Sequence, residues 1–337
     1  MKKRNYLACV LLMITLVSGN VFAQSEDDFE VKQNTDNTIT ITGYKGAEKN
    51  VVIPDKLYGL KVTIIGEMAF YRGNLISVVI PDTVITINSN AFSINNELIK
   101  VTLGKGIKTI ERNAFSSGGN LTEIIIPNSV TRIEANSFSF AGLSKVTFGT
   151  GLQTIGKEAF KNNQITEINF PSSLKEIGTE AFKDNNIQKV TLNNGLQTIG
   201  EEAFYKNQIT EINFPPSLKE ISGGAFAYNQ IQSITIPNSI TSIYSSYHSH
   251  FSSWYVGAFE NNPLTTVVIP ASLVNGRITE QAFGKTDGST ITRITIPAGM
   301  KEDNLKGVFE DSFVNFWINQ NKVGGTYVKR GPIWTKE

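Results

Sequence analysis

The chain has almost no cysteine and almost no histidine. Its single cysteine, Cys9, lies near the start, and its two histidines, His248 and His250, stand two positions apart. A chain without cysteine beyond Cys9 excludes a disulfide framework and a thiolate zinc site there, and thiol catalysis with them. The paired histidines leave none elsewhere for a distributed Ser-His-Asp arrangement. Two alternate histidines share one side of an extended segment, but no third ligand accompanies them, so no metal site is expected. The net charge is only +1 over 337 residues, and no basic stripe is interleaved with aromatics, which argues against a nucleic-acid partner. Motifs of the H-E-x-x-H, G-x-S-x-G and P-loop kinds are missing, as is a G-x-G-x-x-G opening a helix. We therefore expect no enzyme, no catalytic residue and no cofactor.

Long hydrophobic runs are also scarce. Residues 6–17 form an apolar run of twelve, too short to span a bilayer. Lys2, Lys3 and Arg4 precede it, and Val21-Phe22-Ala23 follows a polar break. This order predicts a signal peptide over residues 1–23, cleaved after Ala23, and export to the cell surface, the medium or the periplasm. No second run long enough to cross a membrane follows. Beyond residue 23 the formal charge is 28 minus 30, or −2.

What the chain has in abundance is repetition. Ala-Phe recurs with Phe at 70, 92, 115, 160, 182, 204, 226, 259 and 283, and Ser137-Phe138 fills the gap. The steps are 22 or 23 residues until 226, then 33, then 24. The stretches "LTEIIIPNSVTRIEANSF" and "ITEINFPSSLKEIGTEAF" show the unit L/I-x-x-I-x-I-P-x-S-L-x-x-I-x-x-x-A-F-x-x-N. Residues 151–194 and 195–238 match at 30 of 44 positions, so the copied block is two repeats long and alternate repeats differ. The β-branched run before proline predicts a short strand. A second extended piece follows, and then one helical turn at Ala-Phe, with the ring in the core. Asparagine recurs three positions after Phe, at 95, 163, 185, 207, 229 and 262. Stacked, these would form a ladder bonding buried backbone. One such unit cannot bury its apolar stripe alone, whereas stacked neighbours can.

The strand-Pro, L-x-x-I and Ala-Phe order resembles the BspA-like class of bacterial leucine-rich repeat proteins, over residues 39–308. The resemblance implies a right-handed leucine-rich-repeat-type solenoid of about ten 22–23-residue repeats. Parallel strands would line its concave face, and short one-turn helices would sit at Ala-Phe. We expect residues 24–65 to form an N-terminal cap (a hairpin and a partial repeat), 66–300 the solenoid, and 301–337 a C-terminal cap. The resemblance further implies a surface or secreted adhesin that binds host matrix or cell-surface proteins. The alternatives are an envelope or periplasmic scaffold without a host ligand and, less favoured, a hydrolase on a parallel-β solenoid.

Two surfaces stand out. The outward residue of successive first strands runs Ser77, Lys100, Glu123, Lys145, Glu167, Lys189, Glu211, Ser233. Six in a row alternate in sign, at the ~4.8 Å spacing of adjacent strands. A second outward column includes Val79, Ile125, Asn169 and Asn213. The charges read first as a self-paired ladder holding register. They read second as a neutral, hydrogen-bonding platform with Lys100, Glu123, Lys145, Glu167, Asn169, Lys189, Glu211 and Asn213 as contacts. The other surface is "YSSYHSHFSSWY", residues 244–255, which accounts for the step of 33. An insertion at 245–255 should be a surface loop, cheap to lengthen. It either folds back on the solenoid or binds a partner through Tyr247, His248, His250, Phe251, Trp254 and Tyr255, a paratope-like composition.

Overall fold

Each repeat contributes two short strands and one turn segment, and these stack into three walls around a shared core. The computed structural model describes residues 24–248, 254–284 and 290–337. First strands such as Glu123–Ile125 and Glu167–Asn169 bury only their middle residue and expose both flanks, as a period of two requires. Second strands such as Thr154–Ile155 and Glu176–Ile177 pair in parallel, isoleucine beside isoleucine, from Ile87 to Ile199. Proline ends most first strands because it has no N–H to give a ladder.

The Ala-Phe segments are not one-turn helices. Residues on either side of Ala-Phe take left-handed backbone: Asn90 and Ile94, Asn136 and Phe140, Glu180 and Asp184, all at φ of 54–58°. This breaks any helix and turns alternate N–H groups outward along the stack. Phe92 N donates to Ala114 O at 2.8 Å and Ile94 N to Ser116 O at 2.9 Å, while Ala91 N and Ser93 N close local turns. The physical reason is spacing. Helices pack ~8–10 Å apart, about twice the ~4.8 Å between strands, so helices would splay every layer. Turns bonded layer to layer keep the turn wall in step with the strand walls.

The core is a column of phenylalanines. From Phe70 to Phe283, neighbouring rings lie 4.9–5.8 Å apart with planes within 11°. Phe309 extends the column at 5.5 Å and 14°. It escaped the sequence reading because Val308 stands where the other repeats have Ala or Ser. At one end Tyr44 tilts onto Phe70 and Phe29 onto Tyr44, from an antiparallel hairpin of Phe29–Gln33 and Ile39–Tyr44. At the other, Phe313 of the helix Asp311–Asn319 meets Phe309 edge-on. Antiparallel strands Gly325–Arg330 and Ile333–Lys336 then close the sheet that ends in Arg293–Ile296.

The asparagines form the ladder. Asn185 Nδ2 donates to Phe160 O at 2.9 Å and Phe182 O at 3.1 Å, and its Oδ1 accepts from Ile165 N at 3.1 Å. Asn95, Asn163, Asn229 and Asn262 repeat the pattern. Each amide bonds at least three backbone groups from two layers. Only a short side chain with both donor and acceptor can do this from a turn.

A candidate binding face on the first-strand wall

The wall of first strands is not one sheet. Ser77–Val79 pairs with Lys100–Thr102, Glu123–Ile125 with Lys145–Thr147, and Glu167–Asn169 with Lys189–Thr191. Among the described residues no ladder joins Thr102 to Glu123 or Thr147 to Glu167, and residues 211–213 form no strand. The break follows from the alternation of repeats. The second members read K-V-T-L-G-K-G (100–106), K-V-T-F-G-T-G (145–151) and K-V-T-L-N-N-G (189–195) instead of ending in proline. A Cβ on Gly104 would stand 2.1 Å from Pro81 O, and one on Gly149 2.4 Å from Pro127 O. Those glycines let the second repeat nest on the proline repeat before it. The opposite side is left open toward the next pair.

Clefts therefore recur along the wall. The first has a volume of about 940 Å³ and is lined by Ile99, Lys100, Lys105, Glu123, Ile125 and Asn128. Ile99 and Ile125 are 55% and 65% exposed there. The second, about 520 Å³, is lined by Lys145, Phe148, Glu167 and Asn169. A third, about 650 Å³, is lined by Glu211, Asn213, Phe214, Gln230 and Gln232. Seven of the eight candidate residues of this face thus border clefts. Lys189 stands between them, with Nζ 3.4 Å from Glu167 Oε1. The sequence reading named Ile125 in the outward column but gave it no role, and it passed over Ile99. Their signal was an isoleucine where most other repeats carry a polar residue: serine, threonine or glutamine at the position of Ile99, and threonine or asparagine at that of Ile125.

The self-paired ladder is mostly not formed. Among the described residues, Lys189–Glu167 is the one pair of the six-charge run within 4 Å. Lys100 and Lys145 are parted from Glu123 and Glu167 by clefts. Glu123 and Lys145 are register neighbours, but fully hydrated side chains gain little from closing a surface pair. The paired ladder lies on the turn wall instead. Lys161 bridges Glu158 at 3.4 Å and Glu180 at 2.5 Å, and Lys183 bridges Glu180 at 3.4 Å and Glu202 at 2.5 Å. Burial pushes the Glu180 carboxyl up, but the hydrogen bond from Lys161 and the charges of Lys183 and Lys161 outweigh it and hold it below its ordinary value. Burial pushes the Lys161 ammonium down, and its bonds to Glu180 and Glu158 outweigh that and raise it.

The insertion at 245–255 is built on a hairpin. Ser245–His248 pairs antiparallel with Trp254–Gly257, placing Tyr247 opposite Tyr255 and His248 opposite Trp254. It sits between the second strand Ser242–Ile243 and the Ala258-Phe259 turn, off the first-strand wall. Its base is part of the stack. Ser246 and Val256 are buried, and Ser245 Oγ donates to Glu280 O at 2.5 Å. A Cβ on Gly223 would lie 2.0 Å from Ser246 N, so the Gly223-Gly224 pair, in the place of Glu201-Glu202, makes room for it. Of the six candidate contacts, Tyr247, His248, Trp254 and Tyr255 lie on these strands, whereas His250 and Phe251 lie outside the described residues.

Stacked parallel strands, turn-built layers and a ring column define a leucine-rich-repeat β-solenoid. The sequence profile of the BspA type leucine rich repeat region matches six copies over residues 63–187, 141–256 and 175–287, and the chain belongs to that family. No curated protein matches the chain. It is similar in fold to a leucine-rich repeat protein from Bacteroides ovatus, with a TM-score of 0.65 at 21% identity, over 81% of this chain and 70% of that one. A leucine rich cell surface protein from Faecalibacterium prausnitzii aligns at TM-score 0.46 and 23% identity, over 86% and 93%. A leucine-rich repeat protein from Bacteroides capillosus aligns at 34% identity over 37% of this chain and 96% of that one, with a TM-score of 0.34. Among the described residues no helix is long and apolar enough to cross a membrane.

Proposed function

We propose that this solenoid is exported and acts as an adhesin at the cell surface or in the medium. Its first-strand wall would be the protein-binding face, and its ligands host matrix or cell-surface proteins. The observation that carries this reading is the wall's row of exposed charges, most of them without an ion-pair partner, beside a cleft with two exposed isoleucines. Hydrated charges flanking an apolar anchor are how interfaces combine specificity with buried area. The basic residues 2–4 followed by the apolar run 6–17 support export through a leader over residues 1–23, and a secreted product beginning at Gln24 would bear that out. The test of function is binding of the chain from Gln24 onward to a panel of extracellular matrix proteins. Specific, saturable binding that falls with Ile125→Asp supports the reading. No binding across the panel contradicts it.

A further inference from the structure

The charge run on the first-strand wall has a symmetry that a single chain does not use. Its order is Ser77, Lys100, Glu123, Lys145, Glu167, Lys189, Glu211, Ser233. Read backwards, every lysine meets a glutamate and serine meets serine. An alternating run of even length is self-complementary under a two-fold rotation. We propose that the wall pairs with the same wall of a second copy of this chain, stacks antiparallel. The two-fold axis would pass through the cleft between Lys145–Thr147 and Glu167–Asn169.

Three observations carry this. First, Lys100, Glu123, Lys145 and Glu211 are exposed and, among the described residues, have no ion-pair partner within 4 Å, which leaves their charges available to a partner. In the pair, Lys145 faces Glu167, Glu123 faces Lys189, and Lys100 faces Glu211. The Lys189–Glu167 contact joins two of these pairs into one network. Second, spacing decides who can answer all six charges. An extended segment presents side chains on one face every ~6.6 Å and falls out of step with strands ~4.8 Å apart. A second copy presents its charges on strands of the same ~4.8 Å spacing, and the central cleft between Lys145 and Glu167 faces its own copy across the axis. Third, the register is defined. A slip by one strand sets lysine against lysine and glutamate against glutamate along the whole run, which like-charge repulsion opposes. Beyond the run, exposed Val52 comes opposite Val268, apolar on apolar. An isologous contact of this kind closes after two copies.

The inference rests on the reading of this wall as a protein-binding face, and its test separates the two. Sedimentation velocity of the chain from Gln24 onward should show a concentration-dependent dimer at low ionic strength. The dimer should dissociate at about 1 M salt, where the Debye length falls to about 3 Å. Lys145→Glu breaks two symmetry-related pairs and should weaken the dimer about tenfold or more. Adding Glu167→Lys to the same chain restores opposite charges and should recover it. Melting curves of both variants confirm folding, and both sites are exposed strand residues. As a second arm, a chain with lysines 100, 145 and 189 changed to Glu and one with glutamates 123, 167 and 211 changed to Lys should each be monomeric and associate when mixed. A monomer at every concentration and salt, or a dimer indifferent to salt and to Lys145→Glu, overturns the inference. A monomer that binds matrix proteins leaves the adhesin reading standing. A dimer that binds nothing in the panel supports this inference and contradicts that reading.

Discussion

At the scale of the residue, two side chains recur in the interior: a ring that fills each layer and an amide that ties it to the next. Asn185 is buried and bonds four backbone groups, whereas its neighbour Asn186 is exposed. Asn185→Ala leaves those groups without a partner and should cost about 1–3 kcal/mol. Asn186→Ala should stay within about 0.5 kcal/mol. Urea unfolding of the two variants checks the contrast, and equal losses would deny the ladder its role. Phe182, wholly buried between Phe160 and Phe204, should cost about 3–5 kcal/mol on change to alanine, by lost contact and the cavity left. Both columns were legible in the sequence, because a period of 22 puts identical residues above one another. Phe309 was not, because its layer changes both the flanking residue and the step.

At the scale of the element, spacing overrode local propensity. The Ala-Phe segments carry helix formers such as Glu, Ala and Lys, and a one-turn helix is a fair reading of them. The stack demands ~5 Å layers, and left-handed residues at Glu180 and Asp184 supply turns that meet it. The same turns bring Glu158, Lys161, Glu180, Lys183 and Glu202 into one chain of ion pairs. Its pH behaviour follows in sign. A carboxyl held below its ordinary value of 4.5 adds stability that is present above that pH and lost as pH falls through the folded value. Glu180→Gln should therefore lower the melting temperature at neutral pH, and the two chains should converge well below pH 4.5, where the native carboxyl is also protonated. Parallel curves down to acid pH would refute this. The hairpin is the other element whose form was hidden. Its length was readable from the step of 33, but its strands depend on the Gly223-Gly224 gap one repeat earlier. Gly223→Val should destabilise the chain, since its side chain meets the Ser246 backbone. Replacing residues 248–254 with Asn-Gly should leave the melting temperature within about a degree or two, because a two-residue turn suits this hairpin. A large drop would mean that the removed residues hold the stack.

At the scale of the whole molecule, the alternation of repeats is what organises the candidate face. The sequence displays a two-repeat unit, and the alternating charges are plain in it. What it does not display is that proline repeats and glycine repeats nest in pairs, because close approach of backbones leaves no mark except glycine itself. Nesting opens the clefts, and the clefts keep Lys100 from Glu123 and Lys145 from Glu167. The charges that looked satisfied on paper are thereby left to solvent and to partners, and the true ion-pair ladder lies on another wall. The central claim is that this face, and not the hairpin, binds protein. The most direct measurement compares two variants on whichever matrix protein the chain binds: Lys100→Glu with Ile125→Asp on the wall, and Asn-Gly in place of residues 248–254. The account predicts about tenfold or greater loss for the wall variant, through a lost anchor and a reversed charge, and unchanged affinity for the shortened hairpin. Full binding by the wall variant, with binding lost when the hairpin is shortened, would contradict it.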